Sequence, residues 1–208
     1  MSEILAVPTE MPAFVEFPSI ARLARSCIVT EKLDGTNAQI LITEDGKMYA
    51  GSRTRWITPI SDNFGFAGWV QAHHDELMAL GPGSHFGEWW GSGIQRGYGL
   101  TKGEKRFSLF NVGRWVASDS PLRGEKQEYA PACCSIVPTL ARLETLDTAQ
   151  VEATLTLLGA TGSQAAPGFM KPEGIVVWHE AARVLFKRTL DGDGHKGSSP
   201  RGPHGGPG

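Results

Sequence analysis

Lys32 and Asp34 stand two residues apart in VTEKLDGTNAQILI, residues 29–42, against a Gly35-Thr36-Asn37 corner and ahead of an aliphatic run. Residues two apart in a strand share a face, so the two side chains are expected to project together before Gly35 bends the chain. A solvated ion pair at a hairpin end would have the same sequence. The alternative is a nucleophile, because an amine fixed on a strand attacks an electrophile once desolvation or nearby cations free it of its proton. The rest of the chain has to decide between them. Arg53 and Arg55 in GSRTR are also two apart, on a face from which guanidinium groups can fork onto phosphate. Glu88 in HFGEWWG is set among aromatics, a costly place for an idle charge. The glycine-rich GSGIQRGYGL, residues 91–100, offers Arg96 and backbone amides but follows neither the dinucleotide nor the Walker pattern. His73-His74-Asp75-Glu76 has metal-ligand residue types, yet on a helix adjacent residues diverge and His73 falls on the apolar face.

The elements that must position these residues read as strand pairs with helices between them. Ala38–Thr43 and Lys47–Gly51 flank Glu44-Asp45-Gly46, a hairpin signal because Asp-Gly tolerates positive φ. His85–Trp90 and Arg106–Trp115 are aromatic and strand-like, and Gly174–His179 with Arg183–Thr189 forms a further hairpin around Glu180-Ala181-Ala182. Apolar spacing predicts a helix over Phe66–Leu80, stopped by Gly81-Pro82. A second is predicted over Thr148–Leu158, with Asp147 or Thr148 as N-cap and Gly159 as terminator. Such an order suggests an α+β fold with mainly antiparallel sheets.

The chain has 208 residues, 40% of them hydrophobic and 20% charged, as in ordinary globular domains. A net charge of −2 gives no global polyanion signature, so any such site must be local. Cys27, Cys133 and Cys134 fit neither a disulfide framework nor zinc spacing. The opening MSEILAVPTEMPAF lacks the basic region of a signal peptide and no apolar run reaches spanning length, so a cytoplasmic location is expected. Residues 1–190 read as one domain, and 191–208, rich in Gly, Pro and Ser, as a disordered tail.

EKLDGTN resembles the K-x-D-G motif of the covalent nucleotidyltransferases, and its flanks look most like the RNA ligase branch of RNA ligase 2 and RNA-editing ligases. Further elements follow in the family's order: GSRTR, HFGEWWG, FSLFNVGRW, PEGIVVW and VLFKRT. The resemblance implies an α+β nucleotidyltransferase (ATP-grasp-like) domain of mainly antiparallel sheets with flanking helices. It implies ATP-dependent joining of RNA ends, with Lys32 as nucleophile, Asp34 fixing the ribose or orienting Lys32, and Lys187 holding the α-phosphate. Glu31, Gly35 and Arg53 would join the nucleotide site, Glu88 would bind ribose and Phe110 would stack on adenine. Glu173 would hold the divalent cation, Mg²⁺ or Mn²⁺, and Arg53, Arg55 and Arg96 would meet the nucleic acid, RNA or a nicked duplex. A monomer is expected, with a helper nucleic-acid-binding protein where affinity is weak.

One position departs from the family pattern. Its last motif carries two lysines on one strand face, whereas Lys187 has Leu185 and Thr189 beside it and Arg188 on the other face. Arg188 or Lys196 are the candidate replacements. Two other readings use the same residues: a capping-type guanylyltransferase taking GTP, and a non-catalytic nucleotide- or nucleic-acid-binding relative.

Overall fold

The segment 29–42 spans two strands. In this computed structural model, which describes residues 13–121 and 123–192, β1 (Cys27–Lys32) ends at the lysine and β2 (Thr36–Ile42) starts after Gly35 in a different sheet. Next along the chain come β3 (Met48–Ser52), β4 (Trp56–Ile57), the short helices α1 (Phe66–Ala72) and α2 (His74–Leu77), and β5 (Gly83–Gly91). They are followed by β6 (Lys105–Leu109), β7 (Trp115–Val116), β8 (Glu128–Tyr129), β9 (Cys134–Ile136) and β10 (Thr139–Leu143). The last elements are α3 (Thr148–Thr161), β11 (Gly174–His179) and β12 (Val184–Thr189).

The six-stranded sheet runs β4-β3-β2-β5-β6-β9, antiparallel except for the parallel β6–β9 pair. The four-stranded sheet runs β10-β1-β11-β12 and is antiparallel throughout. The expected α+β class of mainly antiparallel sheets with flanking helices is the observed one.

Each sheet buries one face against helix. On β2, Ala38, Ile40 and Ile42 alternate inward and meet Phe66, Val70 and Leu77 of the short helices. Val151, Leu155 and Leu158 of α3 are spaced for one helical stripe and pack on Val29, Ile175 and Val177. A third cluster, of Ile28, Leu33, Trp90, Tyr98, Val112, Val137 and Ala166, lies where the chain passes between sheets. β1 contributes to both of the last two clusters, which is why its sequence is apolar without alternation.

Three expectations need correction. The helix predicted over Phe66–Leu80 breaks at His73, whose ring turns back to within 2.9 Å of the Trp69 carbonyl and lies against the indole. The strand predicted over Arg106–Trp115 stops at Leu109, because Asn111 accepts the Arg114 N–H and closes a turn. α3 passes through Gly159, which lies close against Leu190, and terminates at Gly162 with φ 82°. Asp147 is the N-cap, accepting from the Ala149 and Gln150 N–H groups. Residues 193–208 of the expected tail, Lys196 included, lie outside the described residues.

Leu157 and Leu158 separate packing from exposure on one helix, with Leu157 at 61% exposure and Leu158 at 2%. Leu158→Ala should cost about 3 kcal/mol in chemical denaturation by leaving a cavity under α3. Leu157→Ala should stay within about 0.5 kcal/mol of the parent.

Candidate active site

Lys32 closes β1, and its register opposite Gly174 of β11 places Glu173 beside it. Lys32 Nζ donates to Glu173 Oε2 at 2.5 Å, with both side chains largely shielded from solvent. Because the strand ends there, the expected shared face with Asp34 does not form. Asp34 lies in the crossing, where its Oδ2 accepts from Arg96 Nε at 2.9 Å. Tyr98 holds the same segment: its hydroxyl accepts the Asp34 N–H at 2.9 Å and donates to the Lys32 carbonyl at 3.4 Å. Burial pushes the Tyr98 phenol well above its ordinary range, so it stays a neutral donor.

A cleft of about 320 Å³ opens where the sheets meet, and Glu31, Lys32, Arg53, Glu88, Phe110 and Lys187 all line it. Leu33, Asn37 and Val176, which the sequence reading did not assign, complete the lining. Asn37 pairs with Glu88 across β2 and β5. Lys187 reaches the cleft through its register with Val176. Gly35 does not line it but makes its geometry possible. Its N–H donates to Glu88 Oε1 at 3.0 Å, and an added Cβ would collide with the Trp89 carbonyl and come within 2.8 Å of Trp90 Cβ. Tyr98 was also missed, although the Gly97-Tyr98-Gly99 run marks a forced turn and Tyr98 itself sits at φ 50°.

Glu31 is 1% exposed. Its Oε2 accepts the Gln164 and Ala165 N–H groups at 2.8 and 3.1 Å, while Oε1 is buried without a partner. An acceptor of that kind on the wall of a cleft fits a ligand that brings an N–H or O–H. Glu88 is buried as well, and burial raises its carboxyl to about 7 despite the Gly35 N–H and Lys32. Among the described residues no group of three or more His, Cys, Asp and Glu could hold a metal by itself. Glu173 suits an ion held mostly by phosphate and water.

The three arginines expected at nucleic acid separate. Arg53 lines the cleft. β3 ends at Ser52, so Arg53 and Arg55 share no strand face, and Arg55 Nη1 bonds the Ser61 carbonyl and hydroxyl at 3.3 and 3.0 Å. Arg96 is a clasp, binding Asp34, the Lys171 carbonyl at 3.2 Å and Asp191. Arg188 does turn away from Lys187, its Nε donating to Glu152 on α3 at 2.7 Å.

The family model of RNA ligases matches residues 25–189, and the chain belongs to that family. Among solved structures it is similar to Naegleria gruberi RNA ligase. A variant in apo form and one with AMP and Mn each align at 18% identity and TM-score 0.56, over 87% of this chain and 57% of that one. A variant with ATP and Mn aligns at 18% identity and TM-score 0.55, over 86% of this chain and 57% of that one. The chain therefore spans under two thirds of the length of these relatives, and the likeness is one of fold. Among curated proteins none matches. No helix among the described residues is long and apolar enough to cross a membrane.

The raised Glu88 carboxyl makes stability pH-dependent. Below about pH 4.5 it is protonated both folded and unfolded; as pH rises towards about 7, the unfolded chain ionises first and stability is lost. Melting temperature followed across this range should fall more steeply in the parent than in Glu88→Gln, the difference amounting to on the order of 3 kcal/mol.

Proposed function

We propose that the chain is the catalytic domain of an ATP-dependent RNA ligase, acting on 5′-phosphate and 3′-hydroxyl ends. One observation carries this reading: residues from five separated motifs, Lys32, Arg53, Glu88, Phe110 and Lys187, line one cleft, and Glu173 of a sixth is ion-paired to Lys32. Chance matches to a motif series would scatter over the fold.

In the first step the Lys32 amine, having given up a proton, attacks the α-phosphorus of ATP. The N–P bond forms as the P–O bond to pyrophosphate breaks, leaving lysyl-AMP. In the second, a 5′-phosphate oxygen attacks that phosphorus, the N–P bond breaks and the amine regains its proton. In the third, a 3′-hydroxyl attacks the activated 5′-phosphate and AMP departs. These are in-line displacements, governed by positioning and charge neutralisation.

The residues are suited to those tasks. Glu173 fixes Lys32 and is the acceptor nearest its proton. Lys187 and Arg53 offer cationic charge to phosphate, and Phe110, 40% exposed on the cleft wall, offers a ring face to the base. Glu31 Oε1 offers an acceptor to the exocyclic amine of adenine. Glu88, on the cleft wall, would meet the ribose. Asp34 serves as an anchor for Lys32 through Arg96. A divalent cation, Mg²⁺ or Mn²⁺, would be held by Glu173 with the phosphates and would neutralise their charge. The relatives solved with ATP or AMP and Mn support that pairing of ligands.

Incubation with ATP labelled at the α-phosphate, then denaturing electrophoresis, should leave label on the parent and none on Lys32→Ala. Retention of label from GTP in place of ATP would favour a guanylyltransferase, and a folded parent that binds ATP without covalent label would sink the catalytic reading.

A further inference from the structure

The face of the six-stranded sheet that carries Glu88 does not end at the cleft. Phe86 is two residues before Glu88 on β5 and therefore points the same way. The ladder sets it beside Gln39 of β2, Gln39 beside Gly51 of β3, and Gly51 beside Trp56 of β4. On the other side, the Phe110 N–H donates to the Phe86 carbonyl, which joins the row to the cleft wall. Strand spacing puts Trp56 and Phe86 about 14 Å apart.

The aromatics of this face are open to solvent: Trp56 and Phe86 of the row are 52% and 54% exposed, and Tyr49, two residues before Gly51 on β3, is 44% exposed. Trp56 is also held in place. A Cβ on Gly51 would lie 3.1 Å from the indole, so one ring face rests on bare backbone, and Tyr49 packs beside it with ring centroids 6.0 Å apart. The row contains no carboxylate, and Arg53 and Arg55 follow directly from β3 at its edge. A plain protein-docking face would have no need of flanking arginines or of continuity with a phosphate-handling cleft.

We propose that this face is the track for an unpaired RNA strand, whose bases stack on Trp56 and Phe86 as its end enters the cleft. The proposal rests on the ligase reading for the identity of the strand. Exposed rings on a sheet accept bases that are already unstacked, because bases inside a duplex present no free π-face. Arginines at the edge supply backbone charge complementarity. The substrate class is thus a single-stranded 5′-phosphate end rather than a continuous duplex.

Fluorescence anisotropy with a labelled, 5′-phosphorylated oligoribonucleotide tests this, using the strand alone and annealed to its complement. Tighter binding of the single strand is expected, with affinity falling about tenfold in Trp56→Ala and in Phe86→Ala and retained in Trp56→Phe. Covalent labelling from ATP, run on every variant, reports an intact cleft and judges the ligase reading separately. Unchanged affinity in both alanine variants overturns the track, as does a preference for the duplex. A parent that takes label but binds no single strand, and whose self-association is lost in Trp56→Ala, would make the face a protein interface instead.

Discussion

Leu33, Asp34 and Gly35 carry the chain from the four-stranded to the six-stranded sheet, and their backbone groups lie out of reach of either ladder. Such donors need partners when water is excluded. Tyr98 takes the Asp34 N–H and Glu88 takes the Gly35 N–H, each from an element far along the chain. The crossing is tight enough that Gly35 has no room for a side chain against Trp89 and Trp90. Fixing this turn fixes the last residue before it, Lys32. The sheet arrangement and the position of Lys32 are therefore one constraint.

Charge in the cleft is arranged at a cost. Glu31 is tied by two backbone amides yet keeps one oxygen unpaired, and Glu88 is buried enough to hold its proton to about neutral pH. Carboxylates are seldom buried unless paired, and Lys32, Arg53 and Lys187 are the cations that share the cleft with these two. The cleft thus holds cations and buried acceptors close together. The fold bears the desolvation in order to keep them there.

The glycine-rich loop of residues 91–100 acts as a brace. Gln95 and Tyr98 adopt φ of 43° and 50° without being glycine, a strained geometry that persists only when the surroundings enforce it. Arg96 does part of this by gripping Asp34, the Lys171 carbonyl and Asp191 at once, and Tyr98 packs edge-on against Trp90 and at a tilt against Phe169. The guanidinium looked free in sequence because its three partners are at distances of 62, 75 and 95 residues.

Residue types and order were enough to give the α+β class, the hairpins around Gly46 and Ala181, and candidate residues of which Glu31, Lys32, Arg53, Glu88, Phe110 and Lys187 line one cleft. Their signals are local: turns need particular φ values, and charged or aromatic types in short motifs can be read whatever surrounds them. The missing second cation beside Lys187 was equally legible, since strand alternation alone sends Arg188 to the far face. What the sequence could not show depends on which distant group meets which. Segment 29–42 shows its bend at Gly35, but only the placement of two sheets ends the first strand at Lys32 and puts the next in a different sheet. Asp34 and Arg96 became each other's partners, Arg55 turned to Ser61, and Asn37, Val176 and Tyr98 entered the site by register and packing rather than by type. Tertiary structure decided these because a hydrogen bond or a shared cleft is a property of two chain segments, and neither segment alone carries it.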